Sequence, residues 1–512
     1  MSHNENRKQP FFYDLTLRDG NQALKKPWNT QEKKVIFNKL LELGVQAVEV
    51  GFAGASDMDF EACQALAEIA PDNVVISGLA RAVKTDIDKV AEAIKNAPKP
   101  RIHTFIAMNP LGLEYVLKKP LEEVKKIAVE AVSYAKSVLP PHGEVQFSVE
   151  HFGDCRENLD EVIEAIKDVV KAGATIINLP NTVERFRPME FIEMVRKVRK
   201  ALPEEVTIAV HCHNDLGMAS ATTVESYFAG AVQLECSLNG LGERAGNTNM
   251  YEVAVSLYNS DVDVPLKMDQ IYETALLVSE MSNISIWEKA PIIGYDALAH
   301  RSGIHQDGVI KTKHLKKGAY RAFNPELIGR GEAEKIGFTS QSGKTAIYEL
   351  INSTQYKISM QEAAYLQPFA KHEAEKVGEL PIRNLVDLYL DKVCDVKGDF
   401  VLENFETIEQ GKFGLHFTYK DRKFDVVIKG NGPVEACING LKKVGFILNL
   451  EHYEQKAVED LDNEKEKSKA MSILQFKYDD KNIIARAIDE STAQANVKAL
   501  FNALNLIEGV NK

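Results

Sequence analysis

Apolar runs of strand length alternate with amphipathic runs of helix length along the first 260 residues, with a period of roughly 25 to 40 residues. The strand-length runs are rich in β-branched and aromatic residues, which favour extended structure. Eight such runs predict strands at 11–17, 47–52, 74–80, 102–107, 145–152, 175–180, 207–210 and 234–240. In the first intervening segment, Asn29 and Glu32 have the spacing of a capping box before a helix that should end at Gly44.

Eight successive strand–helix units are typical of a closed (β/α)8 barrel, the TIM barrel. The main alternative is an open, doubly wound parallel sheet. Two observations favour the barrel: no GxGxxG motif follows the first strand, and polar residues end the strands all around the set. The predicted fold class is therefore α/β, with a TIM barrel over residues 1–285.

The alternation stops near residue 260, and a different kind of sequence follows. Gly-containing loop sequence and then helical patterns predict a small helical linker domain over residues 286–395. Within it, SQSGKTAI (340–347) ends like a phosphate-binding loop. Phe338, however, occupies the position of the first glycine that this motif requires, so a helix start is the better interpretation.

Residues 396–512 contain a duplicated unit. The segments 425–441 and 483–500 each have the pattern of a strand, a turn and a helix rich in small residues. An offset of 59 residues aligns Gly430 with Asp489. We therefore predict an α+β regulatory domain built from two copies.

Composition narrows the class of protein further. Of the 512 residues 45% are hydrophobic, and the formal net charge of −12 argues against a nucleic-acid or anionic-membrane surface. The charged run 458–469 is expected to be a solvated loop. No segment is apolar over the length of a membrane crossing, and the N-terminus has no apolar signal region. Six scattered cysteines without a CxxC motif fit a reducing, cytoplasmic location.

Two histidines follow the seventh predicted strand at a spacing of two. This spacing places the imidazoles of His211 and His213 on one face of the strand and Cys212 on the other. Strands seven, eight and one are neighbours in a closed barrel, so Asp19 and the loop 240–247 should approach the histidines at the carboxyl ends of the strands.

One carboxylate, two imidazoles and a side-chain amide form a mixed ligand set for a divalent cation. Zn, Mn, Mg and Co all suit such a set, and few protein ligands leave positions open for substrate. The alternative is a salt-bridge network on the barrel rim around Arg18 and Arg244, without a metal.

Several motifs together resemble the 2-isopropylmalate synthase/homocitrate synthase family of metal-dependent, Claisen-condensing barrel enzymes. They are LTLRDGNQ (15–22), EVGFAGAS (49–56), NLPNTVERFRP (178–188), VHCHNDLG (210–217), GLGERAGN (240–247) and HRSGIHQDGV (300–309). The last motif belongs to the acyl-CoA synthases of this group rather than to the related lyases.

The resemblance implies a metal site and a condensation of acetyl-CoA with a 2-oxo acid. The implied metal ligands are Asp19, His211, His213 and Asn247. The implied catalytic residues are Arg18, Glu150, Glu243 and His305, and the implied substrate-binding residues are Arg18, His103 and Thr182. Arg18 would stabilise oxyanion charge at the ketone, and Thr182 would bind the carboxylate of the oxo acid. His305 would assist removal of a proton from acetyl-CoA.

The C-terminal region resembles the regulatory domain of this family, which binds leucine and dimerises. The resemblance therefore implies a homodimer with a leucine effector. The first copy matches the family well at GNGPVEA. The second copy departs from the pattern near Asp489, where the family usually has glycine, so another effector or none is the alternative.

The regulatory tail favours 2-oxoisovalerate as the acceptor, which would place the reaction in leucine biosynthesis. Pyruvate, giving citramalate, and the homocitrate synthase reaction are the alternatives. A biotin-dependent carboxyltransferase barrel would need a catalytic lysine on a strand, and the predicted strands carry none. A non-catalytic amino-acid sensor is a further class. It is disfavoured because Asp19, His211, His213 and Arg18 are all retained.

Overall fold

The computed structural model describes residues 7–315, 318–331, 335–354, 356–458, 469–478 and 481–510. The chain divides into two compact units. The first comprises Met1–Leu298 and Phe323–Glu334, and the second comprises Ala299–Ala322 and Lys335–Lys512. Most of the charged run that was expected to be a solvated loop lies outside the described residues. Of the helices in the described ranges, none is both long enough and apolar enough to cross a bilayer.

Eight parallel strands, β1 to β8, close into a barrel in chain order. They are Phe11–Asp14, Ala47–Gly51, Val75–Arg81, Pro100–Ala107, Glu144–Glu150, Ile176–Asn181, Thr207–Cys212 and Gln233–Cys236. Pairing of Phe11 with Gln233 and of Tyr13 with Glu235 joins β1 to β8 and closes the sheet. The barrel predicted from the sequence is confirmed, and the open doubly wound sheet is excluded.

A helix follows each barrel strand and packs its apolar face against the strands. Helices α1 to α8 are Thr30–Leu43, Asp57–Ala67, Lys84–Ile94, Leu121–Val138, Leu159–Lys171, Pro188–Ala201, Ala219–Phe228 and Met250–Asn259, and α9 is Ile271–Ser282. In α5, Val162, Ile166 and Val169 recur at helical spacing and are fully buried. The predicted capping box of Asn29 and Glu32 is present at the start of α1.

Strands β1 and β8 end earlier than the sequence predicts, because a local turn replaces the last residues of each. The Asp14 carboxylate accepts hydrogen bonds from the backbone N–H of Thr16 at 2.9 Å and from its hydroxyl at 2.7 Å. These bonds turn the chain into one π-helical turn over Thr16–Gly20. After β8, Asn239 adopts a left-handed conformation with φ of 54°. Both turns carry polar side chains to the mouth of the barrel.

The second unit begins with short elements and helices. These are β9 (Ala299–His300), α10 (Gly303–Lys311), β10 (Lys335–Ile336), β11 (Phe338–Thr339), α11 (Lys344–Asn352), α12 (Met360–Val377), β12 (Glu379–Leu380) and α13 (Ile382–Lys392). Lys344 of the SQSGKTAI segment begins α11, which confirms the interpretation as a helix start.

Two copies of a unit of three antiparallel strands and one helix complete the chain. The first copy is β13 (Phe400–Glu409), β14 (Lys412–Tyr419), β15 (Arg422–Lys429) and α14 (Pro433–Lys443). The second is β16 (Asn449–Val458), β17 (Lys469–Tyr478), β18 (Lys481–Asp489) and α15 (Thr492–Val510). The predicted offset of 59 residues relates Arg422 to Lys481 and Pro433 to Thr492. The duplication is confirmed, although the sequence pattern detected only the last strand and the helix of each copy.

The central strand of the second copy, β17, is buried on both faces. Leu474 and Phe476 join a core with α15, whereas Met471 and Ile473 join a core with residues of the linker segment such as Tyr389. In packing terms, most of the linker segment therefore belongs to the second unit. The division into three domains at residues 285 and 395 stays a prediction.

Candidate active site

A cavity of about 210 Å³ opens at the carboxyl ends of the barrel strands. It is lined by Arg18, Asp19, Leu79, His103, Phe105, Ser148, Glu150, Asn178, Pro180, Thr182, His211, His213, Glu243 and Arg244. All barrel residues proposed from the sequence for substrate, metal or catalysis contribute to this lining except Asn247. The side chain of Asn247 is buried and contacts both Asp19 and His211.

Asp19, His211 and His213 form the centre of this cavity. Each offers one ligand atom, these atoms all lie within 4.8 Å of one another, and all three residues are buried. His211 lies in β7 and His213 directly after it, and the centroids of their imidazole rings are 4.9 Å apart. Cys212 lies in the core, as expected from the alternation of side chains along a strand.

The protonation states in this cluster suit a cation. Burial by itself would raise the pKa of Asp19, but Arg18 and the two histidines outweigh it and lower the pKa to about 2. Burial is the main factor that lowers the pKa of His213 to about 3, and the charges of His211, Arg244 and Arg18 lower it further. At neutral pH the cluster therefore offers a carboxylate and a neutral imidazole.

One buried atom tests whether a cation fits. Nδ1 of His213 has no hydrogen-bond partner among the described residues. A buried polar atom without a partner is costly unless a ligand satisfies it. The donor set of one carboxylate, two imidazoles and the Asn247 carbonyl is also one that divalent cations accept. The residues present fit a metal ion.

Arg18 is held beside the cluster by two carboxylates. Its Nη1 donates to Asp19 at 2.7 Å and its Nε donates to Glu49 at 2.5 Å. Glu49 is fully buried, and burial would raise its pKa. The charges of Arg18 and His103 outweigh this effect and hold the pKa well below its usual value. The guanidinium therefore has a fixed position at the cavity wall.

The polar side chains around the cavity form a closed ring of close contacts inside the barrel. In order, the ring runs through Arg18, Glu49, His103, Ser148, Asn178, Glu235, His211, Asn247 and Asp19. Its separations lie between 2.5 Å, from His103 to Glu49, and 3.2 Å, from His211 to Glu235. Each side chain of the ring is therefore oriented by two neighbours.

The outer rim carries the remaining barrel candidates. The backbone N–H of His151 donates to the Thr182 hydroxyl at 2.9 Å, so the oxygen of this hydroxyl is already used as an acceptor. Burial raises the pKa of Glu150 above its ordinary value. Glu243 is exposed, and its backbone N–H points to Asp19 at 3.4 Å.

The rim salt bridge considered as an alternative to a metal site exists beside the cluster. Arg244 donates to both carboxylate oxygens of Asp215, at 2.7 and 3.0 Å, and to the carbonyl of Thr182 at 2.7 Å. Arg244 therefore fastens the loop after β8 to the loop after β6, whereas Arg18 pairs with Glu49 and Asp19.

His305 lies in the second unit, on α10. Its side chain is exposed and stacks on Tyr320, with ring centroids 4.1 Å apart. The observed ring contact of His305 is with a residue of the same unit, and the role of His305 in proton transfer stays a prediction.

Three family models match successive parts of the chain. The HMGL-like model matches residues 9–278. The model of the α-isopropylmalate synthase post-catalytic domain matches residues 296–352, and that of the LeuA allosteric (dimerisation) domain matches residues 384–508.

Named relatives extend this likeness over the full length. The chain is 57% identical over 369 residues to 2-isopropylmalate synthase 2 of Leptospira interrogans, covering 72% of this chain and 86% of the relative. It is 35% identical over 507 residues to 2-isopropylmalate synthase of Ruminiclostridium cellulolyticum, covering 96% of each. The chain belongs to the 2-isopropylmalate synthase family. A solved HMG-CoA lyase structure from Brucella melitensis matches 54% of this chain and 99% of its own at 18% identity, with a TM-score of 0.47.

Membership of the 2-isopropylmalate synthase family agrees with the motifs that suggested it. Sequence reasoning nevertheless missed Glu235, which contacts His211, and it did not single out Ser148. Gln233 and Glu235 are polar residues at alternate positions of a strand that is buried throughout. That pattern is the signal for side chains inside the barrel, and it was available in the sequence.

Proposed function

We propose that this protein condenses acetyl-CoA with 2-oxoisovalerate to give 2-isopropylmalate and CoA. The observation that carries the proposal is the buried cluster of Asp19, His211 and His213 beside the fixed guanidinium of Arg18. A catalytically inactive barrel or an amino-acid sensor would not require this arrangement. The family of the chain gives the reaction class.

A divalent cation, Mn, Zn, Mg or Co, would be held by Asp19, His211, His213 and Asn247. When bound, it supplies Lewis-acid polarisation of the ketone. Arg18 would stabilise the negative charge that develops on the ketone oxygen. The Thr182 hydroxyl, whose oxygen accepts from His151, would donate its hydrogen to the carboxylate of the oxo acid.

The reaction needs a base for acetyl-CoA. The base removes a proton from the methyl group, and the resulting enolate carbon forms a bond to the ketone carbon while the ketone oxygen becomes an alkoxide and takes a proton. Water then hydrolyses the thioester and releases the CoA thiol. Glu150, with its raised pKa, and Glu243 are the barrel groups proposed for these proton transfers, and His305 is the candidate from the second unit.

The walls of the cavity favour an acceptor with an apolar side chain. Leu79, Phe105 and Pro180 contribute apolar surface to it. The acceptor of a homocitrate synthase has a second carboxylate that would need a free cation. In the described lining, both arginines already pair with carboxylates: Arg18 with Asp19 and Glu49, Arg244 with Asp215. Pyruvate would fit but would leave apolar surface uncovered, which costs about 1–3 kcal/mol for one or two methylene groups.

We further propose that the protein acts as a homodimer and that leucine is an effector at the C-terminal region. The match to an allosteric (dimerisation) domain over residues 384–508 supports this proposal. Asp489, where the family usually has glycine, accepts from the backbone N–H of Ser491 at 2.9 Å and from Lys498 at 2.6 Å. This carboxylate would alter any effector site at the turn. A cytoplasmic location is also proposed, since all six cysteines are free.

The deciding experiment is thiol release from acetyl-CoA with a panel of 2-oxo acids, with and without divalent metal and leucine. The highest kcat/KM is expected for 2-oxoisovalerate, and chelation should abolish it. Preference for pyruvate would replace the proposed substrate, and no thiol release with any acid would refute the synthase reaction. Inhibition by leucine would support the effector proposal, and leucine without effect would contradict it.

A further inference from the structure

We propose that Glu235 is a positioning residue that fixes which nitrogen of His211 faces the metal. The inference rests on the metal site of the proposed function and concerns a residue outside the ligand set. Glu235 lies on β8, its side chain is fully buried, and it does not line the cavity. It would act only through His211.

The surroundings of Glu235 consist of hydrogen-bond donors. Its Oε1 accepts from Nε2 of Gln146 at 2.7 Å and from Nε2 of Gln233 at 3.0 Å. Its Oε2 accepts from Nδ2 of Asn178 at 3.1 Å and lies 3.2 Å from Nδ1 of His211.

The orientations of the two glutamine amides are fixed from the other side. Arg101, which can only donate, bonds the carbonyl oxygens of Gln146 at 3.2 Å and of Gln233 at 2.7 Å. Their NH₂ groups must therefore face Glu235. A carboxylate surrounded in this way acts as an acceptor, so its neighbour Nδ1 of His211 must carry the hydrogen.

The second nitrogen of His211 then follows from the first. Metal coordination needs a lone pair on Nε2, which the imidazole presents there when its one N–H is at Nδ1. Nε2 lies 3.1 Å from Oδ1 of Asn247, whose Nδ2 donates to Asp19 at 2.6 Å and to the Leu241 carbonyl at 3.0 Å. Oδ1 is therefore an acceptor as well. Two acceptors that face each other in a buried site are satisfied when a cation binds both.

Glu49 provides a matched comparison within the same barrel. Like Glu235 it is fully buried, and its carboxylate contacts Nδ1 of a histidine, His103, at 2.5 Å. His103 is not a proposed ligand, and its Nε2 bonds Ser148 instead. Glu49→Gln and Glu235→Gln each remove the charge of a buried carboxylate that contacts a histidine. Glu49 also pairs with Arg18, whereas Glu235 accepts from neutral amides, and only Glu235 contacts a proposed ligand.

The test measures Mn²⁺ affinity by calorimetry and the proton position on His211 by ¹⁵N NMR of histidine-labelled, metal-free protein. In Glu235→Gln, the two donors at Oε1 would direct the new amide NH₂ toward His211. The hydrogen should then move from Nδ1 to Nε2, and Mn²⁺ should bind about 10- to 100-fold more weakly, as for other losses of a carboxylate that orients a ligand histidine. Glu49→Gln should lower turnover but retain Mn²⁺ affinity close to that of the wild type.

The outcomes separate this inference from the proposed function. Folded Glu235→Gln protein with wild-type Mn²⁺ affinity, or wild-type protein with the hydrogen on Nε2, would overturn the inference and leave the metal site in place. Wild-type protein that binds no divalent metal would overturn both. If Glu235→Gln does not fold, Glu235→Asp provides a second test, because its shorter side chain keeps the carboxylate but moves it away from His211. Weaker Mn²⁺ binding in that variant supports the inference, and unchanged binding contradicts it.

Discussion

At the scale of single residues, two buried carboxylates near the barrel mouth have opposite properties. Asp19 pairs with the Arg18 guanidinium and has a pKa lowered to about 2. Burial raises the pKa of Asp14 to about 7, because its hydrogen-bond partner, Thr16, is neutral. The sign of the shift follows from the charge of the partner rather than from the depth of burial.

Asp14 should make stability depend on pH. Its folded-state pKa lies above the ordinary value of 3.8. The contribution of Asp14 to the free energy of unfolding is therefore fully present below about pH 4 and is lost as the pH rises through 7. The loss is at most about 1.4 kcal/mol per pH unit. Asp14→Asn, which imitates the protonated acid, should be more stable than the wild type at pH 8 and similar to it at pH 4. Urea unfolding of the first unit at both pH values measures this difference.

An exposed carboxylate serves as the control for this experiment. Asp57, at the start of α2, is exposed, and Asp57→Asn should leave the pH dependence as in the wild type. A difference between Asp14→Asn and wild type that is equal at pH 4 and pH 8 would contradict the argument.

The ligand role of His213 gives a second prediction at this scale. His213→Ala should lose bound metal and turnover and keep the barrel fold, since its Nδ1 has no other partner in the described structure. Metal content after gel filtration and thiol release measure the two losses. Cys212→Ala, on the opposite face of the strand, should retain metal. Unchanged turnover in His213→Ala would refute the assignment.

How far the sequence predicts a residue depends on the kind of signal it carries. His211 and His213 could be predicted to share a face because strand geometry fixes a period of two. The alternation in β8 places Glu235 inside the barrel, but its role depends on Gln146 and Asn178, which come from two other strands and which no pattern within β8 indicates. The hydrogen-bond partners of a barrel interior are set by closure of the sheet.

At the scale of elements, the duplicated unit shows how one pattern is used in two ways. The offset of 59 residues places Lys412, Gly414 and Asp425 of the first copy at the positions of Met471, Ile473 and Ile484 in the second. These apolar residues of the second copy pack against the linker helices, whereas the first copy has lysine, glycine and aspartate at the same positions. The sequence predicted the repeat from its strand and helix, but not this difference in burial.

One ion pair fastens α12 to the second sheet. Nε and Nη2 of Arg486 donate to the two oxygens of Glu362 at 2.7 and 2.9 Å, and both side chains are almost completely buried. The carboxylate of Glu362 also accepts from the backbone N–H of Ser359 in a capping box. The corresponding position of the first copy is Val427, so the repeat itself does not require this arginine.

Removal of one partner should cost more than removal of both charges. Arg486→Met leaves a buried carboxylate without its cation and should destabilise the second unit by about 3–5 kcal/mol. Arg486→Met combined with Glu362→Gln, which keeps a capping oxygen, should recover part of this loss. Chemical unfolding of the wild type, the two single variants and the double variant measures the coupling free energy of the pair. Additive effects of the two substitutions would show that the pair contributes nothing specific.

At the scale of the whole molecule, the two units should respond differently to chelation. All proposed metal ligands belong to the first unit. Metal at a hundredfold excess over its dissociation constant should stabilise that unit by about 2.7 kcal/mol. Calorimetry with and without a chelator should therefore shift only the transition of the first unit, and His213→Ala should show no shift. A metal-dependent shift in the second unit would contradict this assignment.

The closed barrel also has a consequence for how the protein is made. Asp19 and Asn247, which share a hydrogen bond, are 228 positions apart and lie on either side of the junction between the first and last strands. A nascent chain on the ribosome carries Asp19 long before Asn247 has been translated. The complete ligand set therefore exists only after the last strand has been inserted, and metal capture would mark the end of barrel assembly during biosynthesis.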